Sequence, residues 1–241
     1  MTMARVVTDE ALDFLPAADP SARRSRRDLR RIHRAMGTRS ILLRALREVS
    51  GSRRERRPWR VLELGAGDGT LMLGVARALR TSWPCVELSL LDRLSLVDEA
   101  TVDAYARVGW TVTEVNADVL AWADDPGASR AHWDVIVANL FLHHFEPVQL
   151  QGLLRAIAAR ADRFVACEPR RGRLAWAGSH LIGAIGAGAV TRADSVRSVH
   201  AGFRADELTR LWPPAGGGWD VREYAAGLFS HCLLAQRTGA L

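Results

Sequence analysis

Val61-Leu62-Glu63-Leu64-Gly65-Ala66-Gly67-Asp68-Gly69-Thr70 is the stretch that decides the fold. It begins as an apolar, β-rich run, passes through three glycines, and opens into a helical pattern from Thr70 to Leu79. A strand that turns through glycines into a helix puts the turn at the carboxyl edge of an α/β sheet, beside a helix N-terminus, where ligands bind. Without a Cβ at Gly65, Gly67 and Gly69, the backbone can approach a ligand closely. A dinucleotide fingerprint needs its third small residue at position 70, where Thr70 stands, so NAD is disfavoured. A phosphate loop needs a lysine, and the sequence contains none.

Outward from this turn, short β-rich runs alternate with helical ones, which predicts βαβ units and a parallel sheet. Strands are read at Arg60 to Leu64, Val86 to Asp92, Thr111 to Asn116, Trp133 to Ala138 and Arg163 to Cys167. Helices are read at Thr70 to Leu79, Leu96 to Val108 and Pro147 to Arg160. After Cys167 the rhythm breaks at an apolar, Gly- and Ala-rich insertion, Leu174 to Val190, whose polar residues are Ser179 and His180. It is too short and glycine-rich for a membrane span, and reads as a lid over an apolar ligand or as a packing helix. A helix at Asp206 to Leu211 and two closing runs, Trp219 to Tyr224 and Phe229 to Gln236, predict an antiparallel C-terminal hairpin.

Ahead of the sheet, residues 1–20 read as a loose arm. Apolar positions Leu29, Ile32 and Met36, then Leu42, Ala45, Leu46 and Val49, give two amphipathic helices separated by Gly37, followed by a charged linker, Arg53 to Pro58. The chain of 241 residues carries a net charge of +6. The excess is local: residues 1–60 hold 16 arginines against 7 acids, the remainder 17 against 20. All-Arg usage points to genomic codon bias more than to phosphate contacts, so nucleic acid is a disfavoured partner. Cys85, Cys167 and Cys232 lie in apolar runs and read as reduced core thiols. No metal site is read, and nothing in the sequence reads as a secretory leader, so the expectation is a cytoplasmic chain without stable membrane insertion, monomeric or homodimeric.

Val61 to Thr70 resembles the first motif of class I S-adenosylmethionine-dependent methyltransferases. The resemblance extends through Asp92 at the end of Leu90-Leu91-Asp92, Asp118 after the third strand, Asp134-Val135-Ile136-Val137-Ala138-Asn139 and Leu142-His143-His144-Phe145. It covers residues 58–240 and is similar to the quinone-biosynthesis and small-molecule type. The resemblance implies a doubly wound, Rossmann-like α/β fold: a mostly parallel seven-stranded sheet with a C-terminal antiparallel hairpin and an N-terminal helical cap. The domains would be an arm and cap at 1–57 and a methyltransferase domain at 58–241 with a lid-like insertion at 174–203. It further implies that Gly65, Gly67 and Gly69 meet the amino-acid part of S-adenosyl-L-methionine, Asp92 the ribose hydroxyls, and Asp118 the adenine amine with Val119 beside it. Glu63 anchors the loop, and Ala66, Arg93 and Asn139 complete the expected cofactor set. Asp92 and Asp118 also fit plain turn-capping, but their joint placement after successive strands favours the cofactor reading.

Methyl transfer from a sulfonium is an in-line displacement that needs alignment and exclusion of water. His143 and His144 follow the fourth strand and Glu168 ends the fifth, so these three are the candidate acceptor-side residues. A structural loop histidine and a Glu168 ion pair with Arg170 or Arg171 are the competing readings. The lid, with Trp176, His180, Met36, Ile41 and Trp83 or Trp212, favours a hydrophobic aromatic, quinone or polyketide-like small-molecule acceptor of secondary metabolism, methylated on oxygen or carbon, with S-adenosyl-L-homocysteine as product. The alternatives are an RNA methyltransferase, suggested by Arg23 to Arg34, and a catalytically silent cofactor-binding subunit.

Overall fold

Along the strand at Val135–Asn139, successive side chains enter two different cores: Val135 and Val137 one, Ile136 and Ala138 the other. The neighbouring strand at Arg163–Pro169 does the same, with Val165 and Cys167 on one side and Phe164 and Ala166 on the other. A period of two with both faces apolar is what a sheet covered by helices on each side requires. A computed structural model of the chain describes residues 3–51, 57–125, 127, 131–214 and 218–239. Residues 53–56 of the expected linker lie outside the described residues.

The strands are β1 (Trp59–Leu64), β2 (Val86–Asp92), β3 (Trp110–Asn116), β4 (Val135–Asn139), β5 (Arg163–Pro169), β6 (Trp219–Ala226) and β7 (Ser230–Arg237). They form one seven-stranded sheet in the order β3-β2-β1-β4-β5-β7-β6. Pairings among β1 to β5 are parallel, whereas β7 runs antiparallel to both β5 and β6, as the two closing runs predicted. The order reverses between β1 and β4, and the carboxyl ends of strands at such a switch point are where open α/β sheets bind ligands.

The helices are α1 (Pro20–Met36), α2 (Thr38–Ser50), α3 (Thr70–Leu79), α4 (Glu99–Ala106), α5 (Val119–Asp124), α6 (Pro147–Arg160), α7 (Arg173–Leu181), α8 (Ala189–Ala201) and α9 (Glu207–Leu211). β2, α3 and α6 match the expected bounds. α6 begins at Pro147, where the Glu146 and Gln149 side chains each accept a backbone N–H of the other's residue. α4 starts later than Leu96 because Asp98 caps it, accepting from the Thr101 N–H at 2.8 Å. α5 was not read from the sequence; one and a half turns are too short to show a period. α2 is part of the main fold: Leu42, Ala45, Leu46 and Val49 join the core that also holds α3, and the Arg163 guanidinium donates to the Val49 carbonyl at 2.7 Å. The expected insertion folds as α7, a 3-10 turn at Ile182–Ile185 and α8. Tyr105 and Trp122 are core residues as expected, but Cys85, unlike Cys167 and Cys232, is exposed because it precedes β2 instead of entering it.

The arm is not loose. Val6 donates its N–H to His200 O at 3.1 Å, and Asp194 of α8 accepts from the N–H groups of Ala11 and Leu12 at 2.9 and 3.1 Å. The Arg5 guanidinium sits over the Phe203 ring and donates to the carbonyls of Ala201 and Phe145 at 2.8 and 2.9 Å. These ties join residues nearly two hundred apart, which no local pattern reveals.

Candidate cofactor and acceptor site

Gly65 and Gly67 have φ of +68° and +56°, in the left-handed region where only glycine is unstrained. A Cβ on Gly65 would stand 2.3 Å from the Phe141 ring, so that residue is glycine for packing as well. A Cβ on Gly67 would meet nothing within 4 Å: its open side faces the cavity. The Gly67 N–H donates to Asp92 Oδ2 at 2.8 Å, and Leu94 N–H to Oδ1 at 3.0 Å, so the acid ending β2 is held beside the glycine turn.

A cavity of about 530 Å³ lies over the carboxyl ends of β1, β2 and β4. Glu63, Gly65, Ala66, Gly67, Asp92, Arg93, Asn139, His143 and His144 line it, so nine of the expected site residues share one wall. Four do not. Gly69 faces inward, with Leu90 and Tyr105 beside it and its carbonyl bonded by the Tyr105 hydroxyl at 2.7 Å, because it begins α3. Asp118 caps α5 by accepting from Leu120 and Ala121 N–H at 2.8 and 3.2 Å, which is the turn-capping role, and Val119 is buried in the core. Glu168 is fully buried behind the wall.

Two orphaned polar atoms lie on the adjacent strands β1 and β4, beside the glycine turn. Glu63 is 3% exposed, and its Oε2 has no hydrogen-bond partner; burial, with Asp92 and Asp68 nearby, pushes its carboxyl up to about 8. Asn139 Oδ1 is likewise buried and unpartnered. Buried acceptors without donors are costly, so a cationic or N–H-bearing ligand group in this cavity would satisfy both.

At the other end Glu168 accepts the N–H groups of Phe141, Leu142 and His143 and the His143 Nδ1–H at 2.8 Å. This fixes the turn at Leu142–His144 and turns the buried His143 Nε2 toward Glu10. Arg170 and Arg171 bond elsewhere, to the Gly227 carbonyl and to Glu207, so the ion-pair reading of Glu168 does not hold. Burial alone would lower His143, but Glu10 and Glu168 outweigh it and push the imidazole up to about 9. Glu10 Oε1 lies 3.4 Å from His143 Nε2, and Asp13 Oδ2 lies 3.3 Å from His144 Nδ1.

Glu10, Asp13 and His33 were missed in the sequence. His33 of α1 is driven down to about 4 by burial and keeps an unpartnered Nε2 at the cavity wall. Its spacing from Leu29 and Met36 could have flagged it; nothing local could have flagged the arm acids. Arg30 of α1 also reaches Asp68 of the glycine turn at 2.8 Å. The apolar wall comes from Leu29, Ile32 and Met36 of α1, from Leu181, Ile182 and Ile185, and from Phe229. Of the expected lid contacts, Trp176 and His180 point outward and bond to each other's segment, Ile41 and Trp83 are core, and Trp212 stacks on Phe164 at 5.6 Å.

No family model and no curated protein matches the chain. Solved structures match in shape. Magnesium protoporphyrin IX methyltransferase from Synechocystis PCC 6803 with bound SAH aligns with 94% of this chain and 91% of that chain, at a TM-score of 0.52 and 14% identity. The methyltransferase domain of bacterial CtHen1-C aligns with 85% of this chain and 99% of that chain, at 0.55 and 13% identity. An O-methyltransferase family protein from Burkholderia thailandensis aligns with 86% of this chain and 61% of that chain, at 0.51 and 18% identity. The chain has the Rossmann-like fold of the class I S-adenosylmethionine-dependent methyltransferases.

Proposed function

We propose that this protein is an S-adenosylmethionine-dependent methyltransferase acting on oxygen or carbon of a hydrophobic small molecule. One observation carries the reading: a glycine turn whose open side, at Gly67, shares a single apolar cavity with two orphaned buried acceptors, Glu63 Oε2 and Asn139 Oδ1. When bound, S-adenosylmethionine supplies an electrophilic methyl carbon on a sulfonium. Glu63 and Asn139 would accept from its ammonium group, the Gly65 to Gly67 backbone would line its amino-acid part, and the Asp92 carboxylate would accept from ribose hydroxyls. Glu63 would be ionised when it accepts from that ammonium, since an opposite charge at close range offsets burial.

In this reading the acceptor lies against Leu29, Ile32, Met36, Leu181 and Phe229, which line the same cavity and favour an aromatic or similarly apolar body. His143 and His144 face that acceptor. Glu168 is a positioning residue: it holds the His143 ring and the preceding backbone but does not reach the cavity. A largely apolar cavity lined by α1 favours a small acceptor over RNA, and three arginines of α1 are already paired, Arg24 and Arg31 with Asp28 and Arg30 with Asp68.

Gly67→Arg tests the site. A large cation in the open space beside the turn should abolish S-adenosylmethionine binding by calorimetry while the far-UV spectrum stays native. Retained micromolar affinity in that variant would sink the assignment.

A further inference from the structure

Glu10, His143 and His144 each present a ligand atom, and these atoms lie within 4.8 Å of one another at the cavity wall. One comes from the arm and two from the turn after β4, so the fold, not local sequence, assembles them. We propose that these three residues bind a divalent transition-metal ion that holds and activates the acceptor.

Three observations support an ion over a plain ion pair. His143 is 3% exposed and its Nε2, aimed into the cluster, has no hydrogen-bond partner; the 3.4 Å approach of Glu10 lacks hydrogen-bond alignment. Its Nδ1–H is bonded to Glu168 at 2.8 Å, which is the carboxylate–histidine arrangement that orients a metal-ligating imidazole and raises its basicity. Asp13 Oδ2 lies 3.3 Å from His144 Nδ1, within ion-pair distance. Ligand atoms bonded to one ion at about 2.0–2.2 Å sit roughly 3–4.5 Å from each other, so the spacing needs only small side-chain shifts. Two imidazoles and one carboxylate suit zinc, manganese, iron or cobalt better than calcium or magnesium, which take oxygen ligands.

The role of the ion rests on the methyl-transfer reading; its binding does not. An acceptor hydroxyl coordinated there loses its proton to bulk water more readily, because the ion stabilises the oxyanion. The oxyanion forms the new bond to the methyl carbon, the carbon–sulfur bond breaks, and its electron pair returns to sulfur as the neutral thioether. Charge balances: one cation and one neutral alcohol give two neutral products and a proton.

The test is a Co2+ titration of the chelator-treated full chain, followed by visible absorption and calorimetry, with S-adenosylhomocysteine affinity measured on the same sample. A single ion per chain at micromolar affinity is expected, with Co2+ bands free of thiolate charge transfer. Glu10→Gln and His144→Ala, both at partly exposed positions, should each weaken Co2+ binding at least about tenfold. His132→Ala, on the surface pair with Asp162, should leave it unchanged. Absence of binding, or binding that survives in both Glu10→Gln and His144→Ala, overturns the proposal. Tight S-adenosylhomocysteine binding without Co2+ binding would overturn the ion alone. Co2+ binding at these residues without S-adenosylhomocysteine binding would keep the ion and strike the methyl-transfer reading.

Discussion

Glu63 is a buried carboxyl near the end of β1, just ahead of the glycine turn. Its carboxyl, held near 8 in the fold against an ordinary 4.5, binds its proton more tightly folded than unfolded. Its contribution to stability is therefore greatest at low pH, is lost as pH rises between 4.5 and about 8, and stays lost above. Glu63→Gln keeps the shape without the charge, so at pH 9 it should unfold at higher urea than wild type, by on the order of 2–4 kcal/mol, and show little advantage at pH 4. The same variant should bind S-adenosylmethionine about ten- to a hundredfold more weakly, because a charge-assisted hydrogen bond is lost. Equal urea midpoints at pH 9 would contradict the buried, unpaired state. The glycines differ in degree: both would carry the left-handed backbone penalty, so Gly67→Ala, which has room, should cost about 1–2 kcal/mol, whereas Gly65→Ala must also push the Phe141 ring and should cost about 2–5 kcal/mol. A urea series on both variants checks the order.

At the scale of elements, the arm at residues 3–13 lines the cavity with Glu10, Leu12 and Asp13 and is held there by α8. Asp194→Ala removes the acceptor of two arm N–H groups, so protection of the Ala11 and Leu12 amides from hydrogen exchange should fall sharply while amides of β1 and β4 keep theirs. Unchanged protection would mean that the ties at Met3, Arg5, Val6 and Glu10 hold the arm without Asp194. The sequence made some of these elements legible and hid others for physical reasons. The run from Val61 to Thr70 and the alternation of β-rich and helical runs are local signals, and they correctly yielded the parallel sheet, the hairpin and the glycine turn. His143 and His144 were legible because they follow β4 directly. Glu10 and Asp13 were not, since what recruits them is a carboxylate on α8 and a guanidinium over Phe203. Asp118 reads as a ligand from its place after β3; in the fold its Oδ1 caps α5 and the residue does not line the cavity.

Over the whole molecule, the reversal of strand order between β1 and β4 brings the glycine turn, Asp92 and Asn139 to one edge, and α1, the arm and the segment around Leu181–Ile185 roof that edge with apolar side chains. Among the described residues no helix is long and apolar enough to cross a membrane. Any ligand that binds this edge only in the folded state should stabilise the chain by mass action, about 2.7 kcal/mol at a hundredfold excess over its dissociation constant. The central claim is that the edge takes the sulfonium cofactor and not a dinucleotide. Calorimetry of S-adenosylmethionine and NADH against the same purified chain tests it most directly: micromolar binding of S-adenosylmethionine with no heat from NADH is the predicted result, and binding of NADH alone, or of neither, would contradict it.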